Sequence, residues 1–168
     1  ALLEERAKKY AHQEKKEFVQ GELKEFLAFQ LGLEHYLIEM AQVDEVLPVP
    51  GISKVPGQRN FVLGLANMRG DAVLVVDLGL LLGLGKTKLR KKSRVLLLKS
   101  GTEKTGLLVE TVTGSFRRDT GRAQSAFASM GQRGAYVQGL FQENQIPYIW
   151  LNTEILVSHL NHQLSIET

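Results

Sequence analysis

The chain of 168 residues contains no cysteine, which excludes disulfides, thiolate zinc sites, iron-sulfur clusters and cysteine nucleophiles. It is compatible with a reducing compartment. No apolar run approaches the roughly 18 residues that a membrane helix needs, the longest being interrupted within a few residues by Gly, Asp or Lys. The opening ALLEERAKKYAHQEKKE mixes acids with bases and has neither the apolar stretch nor the small-residue cleavage site of a secretory signal. A soluble protein without direct membrane insertion is expected. The first residue is Ala1 rather than Met, as in a trimmed or engineered start.

Catalytic signatures are missing too. No Gly-x-Ser-x-Gly occurs. Of His12, His35, His159 and His162 only the last two are close in sequence, without an H-E-x-x-H setting, so they read as solvent-facing helix residues rather than metal ligands. Asp44, Glu45, Asp71 and Asp77 show no spacing that singles out an acid-base pair. The stretch Gly79 to Thr87, GLLLGLGKT, ends like a phosphate-binding loop but has Leu80 where a glycine is needed, and leads into a basic turn rather than a helix. No enzyme activity, metal or cofactor is expected.

What is present is an ordinary globular composition, 43% hydrophobic and 23% charged. The 21 Lys and Arg against 18 Asp and Glu give a net charge of +3. Six of the basic residues, Lys86, Lys88, Arg90, Lys91, Lys92 and Arg94, fall in one window without an acid, leaving 15 basic against 18 acidic residues elsewhere. The body is thus net acidic and carries one basic loop. That window reads as a solvated loop between strands or as a docking patch for an acidic partner. A nucleic-acid-binding β-barrel protein using loop 86–94 is the alternative function, although the window holds no aromatic for stacking.

Residues 1–17 are rich in helix formers, with Leu3, Ala7 and Tyr10 on one stripe, which predicts a helical N-terminal arm over 1–22. From Leu23 the pattern changes to short apolar runs. Leu27, Phe29 and Leu31 alternate, Gly32 breaks the run, and Tyr36, Ile38 and Met40 alternate again, predicting a hairpin. Further runs at Val43 to Leu47, Val73 to Val76, Val95 to Leu98, Leu107 to Val109, Tyr136 to Phe141 and Ile146 to Leu151 predict small antiparallel barrels or a sandwich. A C-terminal helix is predicted with Asn152 as N-cap and Leu156, Leu160 and Leu164 on one face.

An internal repeat sharpens this picture. Phe61-Val62-Leu63-Gly64-Leu65 returns 75 residues later as Tyr136-Val137-Gln138-Gly139-Leu140, and the same offset carries Val73 onto Tyr148 and Asp77 onto Asn152. A weaker echo at offset 69 places Ile38, Met40 and Val43 over Leu107, Val109 and Val112. Two similar halves of about five strands follow, with Gly64 and Gly139 marking bulges. Arg69, in the turn Asn67 to Gly70, lies between two very apolar strands, and Glu45 has apolar neighbours. Each is a surface member of an alternating strand, or the two form an ion pair that orients a partner-binding surface.

The run from Phe26 to Leu164 resembles the CheW-like adaptor family. The motifs are FLAFQLG, Tyr36 to Met40, Val43-x-Glu45-Val46, Val55-Pro56, Gly64-Leu65-x-Asn67-x-Arg69-Gly70, Val75-Val76-Asp77-Leu78 and Gly106-Leu107-Leu108-Val109. Two positions depart from the family pattern, Leu74 for a Pro and Glu110 for an Asp. The RKKSRVLLL stretch and the N-terminal extension are most similar to the CheW-like adaptors of the type IV pilus, or twitching-motility, system.

The resemblance implies an all-β fold of two five-stranded SH3-like barrels around a shared core, intertwined over 23–168, with short terminal helices. It implies a non-catalytic scaffold, cytoplasmic and recruited to membrane-associated receptor arrays. Its implied partners are a CheA-type histidine kinase regulatory domain and a methyl-accepting chemoreceptor cytoplasmic tip, with no nucleic acid. By the same resemblance Val43, Glu45, Gly64, Asn67, Arg69 and Ala72 fall on or support partner-binding surfaces.

Overall fold

The computed structural model describes residues 21–99, 103–125 and 127–167. The helix expected over 1–17, with His12, and the side chains of His162 and Leu164 lie outside what is described. Among the described residues ten strands run in the order β1 (Leu23–Leu31), β2 (Glu34–Glu39), β3 (Val43–Pro48), β4 (Val62–Met68), β5 (Asp71–Asp77), β6 (Arg94–Leu98), β7 (Thr105–Val109), β8 (Thr111–Asp119), β9 (Val137–Glu143) and β10 (Ile146–Leu151). The short helix α1 (Leu78–Leu81) follows β5, and α2 (Thr153–Glu167) follows β10. Two five-stranded sheets form, in the orders β8-β1-β2-β10-β9 and β3-β6-β7-β5-β4.

The repeat is visible as three-dimensional structure. β1 to β5 with α1 correspond to β6 to β10 with α2, and each barrel takes strands from both halves. The barrel of β3 to β7 is contiguous in the chain, whereas the other joins β1 and β2 to β8, β9 and β10. This exchange makes β5 parallel to β7 and β10 parallel to β2, so the barrels are not purely antiparallel as the strand spacing suggested.

Both copies of the glycine motif carry a bulge. Register skips Leu63 between Val62 and Gly64, and skips Gln138 opposite the Trp150–Leu151 step. The residue after each glycine then bridges to an incoming loop, Leu65 to Ser53 and Leu140 to Gln124. Asp77 and Asn152, also 75 residues apart, play the same part. Asp77 accepts from the Leu80 N–H and Asn152 Oδ1 from the Ile155 N–H, each capping the helix that follows.

The packing explains the alternation in β1. Leu27, Phe29 and Leu31 face a core shared by the two barrels, together with Tyr36, Ile38, Leu96, Leu107, Leu156 and others. Phe26 and Ala28 point the other way, into the first barrel's own interior with Leu37, Phe141 and Trp150. Val73, Val75, Val95 and Leu97 fill the second barrel. Strands at the junction are therefore buried on both faces, which reads in sequence as a nearly continuous apolar run.

Four details differ from the sequence reading. Met40 lies in a 3-10 turn, Met40–Gln42, rather than in β2. The turn after β4 narrows to Arg69–Gly70. His159 is half-buried, its ring edge-on to Tyr136, not simply solvent-facing. β8 has no counterpart in the reading because none of its side chains, TVTGSFRRD, is fully buried, so it carries little alternating apolar signal.

The open edges of the first barrel, β8 and β9, are tied by an ion pair. Arg118 Nε donates to Glu143 Oε2 at 2.8 Å, and Nη2 to Oε1. The hydrogen bonds from Arg118 hold the Glu143 carboxyl below its ordinary value of 4.5; burial opposes them, and the charges of Arg118 and Arg122 add to the lowering. A depressed carboxyl binds its proton less readily in the folded state than in the unfolded chain. The pair's contribution is thus fully present above about pH 4.5 and is lost as pH falls through the lower folded value. Glu143→Gln is expected to flatten this acid limb in urea titrations taken from about pH 6 to about pH 3, a range that brackets the ordinary carboxylate value.

Candidate functional site

The second barrel is tied at the corresponding place with the charges exchanged. Glu45 lies on β3 and Arg69 in the turn after β4, where Arg118 lies on β8 and Glu143 ends β9. Arg69 Nε donates to Glu45 Oε2 at 2.8 Å and Nη2 to Oε1 at 2.6 Å, a two-pronged pair. Both side chains reach solvent, Arg69 with 64% and Glu45 with 36% exposure. The hydrogen bonds to Glu45, then its charge, hold the guanidinium above its ordinary value.

Arg69 occupies this site in a left-handed conformation, with φ of 55° followed by 83° at Gly70. Such a two-residue hairpin turn favours Asn-Gly because asparagine tolerates positive φ. The equivalent turn of the first barrel has Asn144, at φ 50°, and Gln145. An arginine at a position better suited to asparagine is backbone strain retained for its side chain.

Beside the ion pair, β4 exposes Leu65 and Asn67 and buries Ala66 and Met68. Leu65 faces Leu74 and Asn67 faces Ala72 across the hairpin, and Leu65 and Val46 are exposed apolar side chains. Of the six positions singled out, Glu45, Asn67, Arg69 and Ala72 therefore lie at the surface or partly so. Val43 belongs to the shared core, and Gly64 is buried against the backbone of Ser53 and Lys54. Those two support the surface and do not present side chains on it.

The basic loop is anchored rather than loose. Asp77 is fully buried, and its carboxylate accepts from the Thr87 hydroxyl at 2.5 Å and the Thr87 N–H at 3.1 Å. Ser93, also buried, accepts from the Arg90 N–H at 2.8 Å. The Gly-Lys-Thr end that looked like a phosphate loop is thus the clasp between loop and α1 cap. Between these anchors Lys86, Lys88, Arg90, Lys91 and Lys92 are exposed, and Arg94 starts β6, donating to the Lys91 and Ser93 carbonyls.

A groove of about 580 Å³ runs between this loop and the β1–β2 turn, with Glu110 and Arg133 on its walls. Both acids there are engaged. Glu34 Oε1 accepts from Arg133 Nη1 at 2.6 Å and from the Tyr36 hydroxyl at 2.7 Å, while Glu110 lies 3.6 Å from Arg90. Burial first, then the bond to Glu34, pushes the Tyr36 phenol well above its ordinary range. Sequence reasoning missed Arg133 and the β1–β2 turn as parts of this groove, since they lie about 100 residues apart in a chain whose repeat had not been folded. Among the described residues no cluster of His, Asp or Glu suits a metal ion.

A model of the CheW-like domain matches residues 25–161. PilI of Pseudomonas aeruginosa is 30% identical over 135 residues, which cover 79% of this chain and 75% of that protein. The chemotaxis protein CheW of Helicobacter pylori is 30% identical over 96 residues, 57% of this chain and 58% of that one. The crystal structure of the scaffolding protein TtCheW from Thermoanaerobacter tengcongensis superposes with a TM-score of 0.71 at 27% identity, covering 77% of this chain and 84% of that one.

Proposed function

The chain belongs to the CheW-like domain family, and from that premise we propose that it is a non-catalytic adaptor in a chemosensory array. It couples the cytoplasmic tip of a methyl-accepting chemoreceptor to the regulatory domain of a CheA-type histidine kinase, with type IV pilus twitching motility as the output. The pilus assignment is supported by the likeness to PilI and by the resemblance already noted in RKKSRVLLL. Apolar hairpin faces such as that around Leu65 bury against matching barrels of the kinase, and the surface around Glu45 and Arg69 meets the receptor. Contacts of modest area suffice, because an array multiplies them. The adaptor works in the cytoplasm at the membrane-associated array. No helix among the described residues is long and apolar enough to cross a membrane itself.

The observation that carries this reading is the strained, exposed Arg69. If it served only to fold the hairpin, asparagine would do better. Arg69→Asn is therefore expected to leave the melting temperature unchanged or slightly raised while capture of the receptor tip or the kinase regulatory domain drops by roughly tenfold or more. Pull-down with purified partners, alongside thermal melts, decides it. Undiminished capture of both partners removes Arg69 from the interface.

A further inference from the structure

The Glu45–Arg69 surface leaves the groove beside the basic loop without a role. We infer that this groove is a second docking site, whose occupant is an acidic, leucine-bearing segment of a partner protein. The inference rests on the adaptor reading only for the partner's being a protein.

Charge comes first. Lys86, Lys88, Lys91 and Lys92 are exposed and make no ion pair among the described residues, and the clasp of Thr87 on Asp77 fixes the loop that carries them. Cations held in place by a buried anchor lose little conformational freedom when a carboxylate arrives. Arg133 adds a specific demand. It commits Nη1 to Glu34, while its Nε–H, shut away from solvent, has no acceptor among the described residues. A buried donor without a partner is costly, which favours a small turn of the Arg133 side chain that presents Nε–H to an incoming carboxylate oxygen.

Apolar side chains then choose among anions. Leu33 is 95% exposed at the β1–β2 turn, Leu89 is 64% exposed between Lys88 and Arg90, and Leu84 is 38% exposed on the groove wall. Leucines interleaved with lysines offer a polyphosphate nothing to stack on or to read. An anionic membrane also pairs lysine with leucine, but it needs a protruding surface, and the loop lines a concavity. A peptide that alternates carboxylates with apolar side chains meets all three features.

The test titrates the whole isotope-labelled protein with a short synthetic peptide of alternating glutamate and leucine, followed by amide shifts. Saturable shifts centred on Leu33, Lys88 and Arg133 are expected, with affinity falling by roughly tenfold or more in Lys88→Glu/Lys91→Glu. Leu33→Ser, at a side chain that supports no packing, is expected to weaken binding as well, and Arg69→Asn to leave it unchanged. That last variant separates this site from the adaptor surface. The inference is overturned if no saturable binding occurs, if shifts centre elsewhere, or if a glutamine-for-glutamate peptide binds equally. Tighter binding of phosphatidylglycerol vesicles or duplex DNA than of the peptide overturns it as well.

Discussion

Gly64→Ala is expected to destabilise the protein by roughly 3–5 kcal/mol and to open the seam of the β3–β7 barrel. A Cβ on Gly64 would stand 2.0 Å from the Ser53 carbonyl oxygen and 2.7 Å from its carbon. Both are backbone atoms, so no side-chain rotation relieves the clash. The φ of 142° adds strain for any residue with a Cβ. Relief requires moving Ser53, which breaks its reciprocal hydrogen bonds with Leu65 at 2.8 and 2.9 Å. The repeat provides an internal control at Gly139. There the nearest atoms belong to the Ala123 and Trp150 side chains, at 2.9 and 3.2 Å, and φ is not left-handed. Gly139→Ala should therefore cost only about 1–2 kcal/mol. Urea melts of both variants measure the difference, and equal losses would contradict the seam argument.

Thr87→Val is expected to cost about 3 kcal/mol. Valine keeps the volume and removes the hydroxyl, and with it the shortest donor to a carboxylate that has no access to water. The Gly79 N–H also loses its acceptor, Thr87 Oγ1 at 3.2 Å. Asp77 keeps the Thr87 and Leu80 N–H groups, so the variant should fold but melt early, and the amides of residues 85–93 should exchange faster. Thr87→Ser, which retains the oxygen, should lose much less. If valine costs less than about 1 kcal/mol, the hydroxyl clasp on Asp77 is not what holds this loop. Adding Asp77→Asn to Thr87→Val should cost less than the two changes summed, because both act on one network.

Most strands were legible because the barrels bury one or both faces of each. Leu27, Phe29 and Leu31 or Val95 to Leu98 cannot be read otherwise once Gly and turn residues bound them. The glycine motif was legible as a bulge for the same reason, since a glycine amid strand residues has little other use. β8 was not, because an edge strand lined by Thr, Ser, Gly and Arg looks like loop in composition. Of the surface, Glu45 and Arg69 stood out as charges among apolar neighbours, and the structure brings them together. The left-handed turn that makes Arg69 informative depends on φ, which sequence does not display. The role of Thr87 was hidden by its likeness to another motif, and the groove by the distance along the chain between Glu34 and Arg133.

The exchange of strands between the halves also sets an order of events during synthesis. β3 to β7 can close their barrel as soon as Val109 has left the ribosome, from one uninterrupted stretch of chain. β1 and β2 emerge first but need β8 and β10 as neighbours, and at roughly 5–20 residues per second the wait lasts several seconds. Meanwhile Phe26, Phe29 and Leu37, side chains that end fully buried, belong to a hairpin with both edges open and no stability of its own. That nascent hairpin is where a chaperone would hold this chain, and where pairing between neighbouring chains on a polysome would begin.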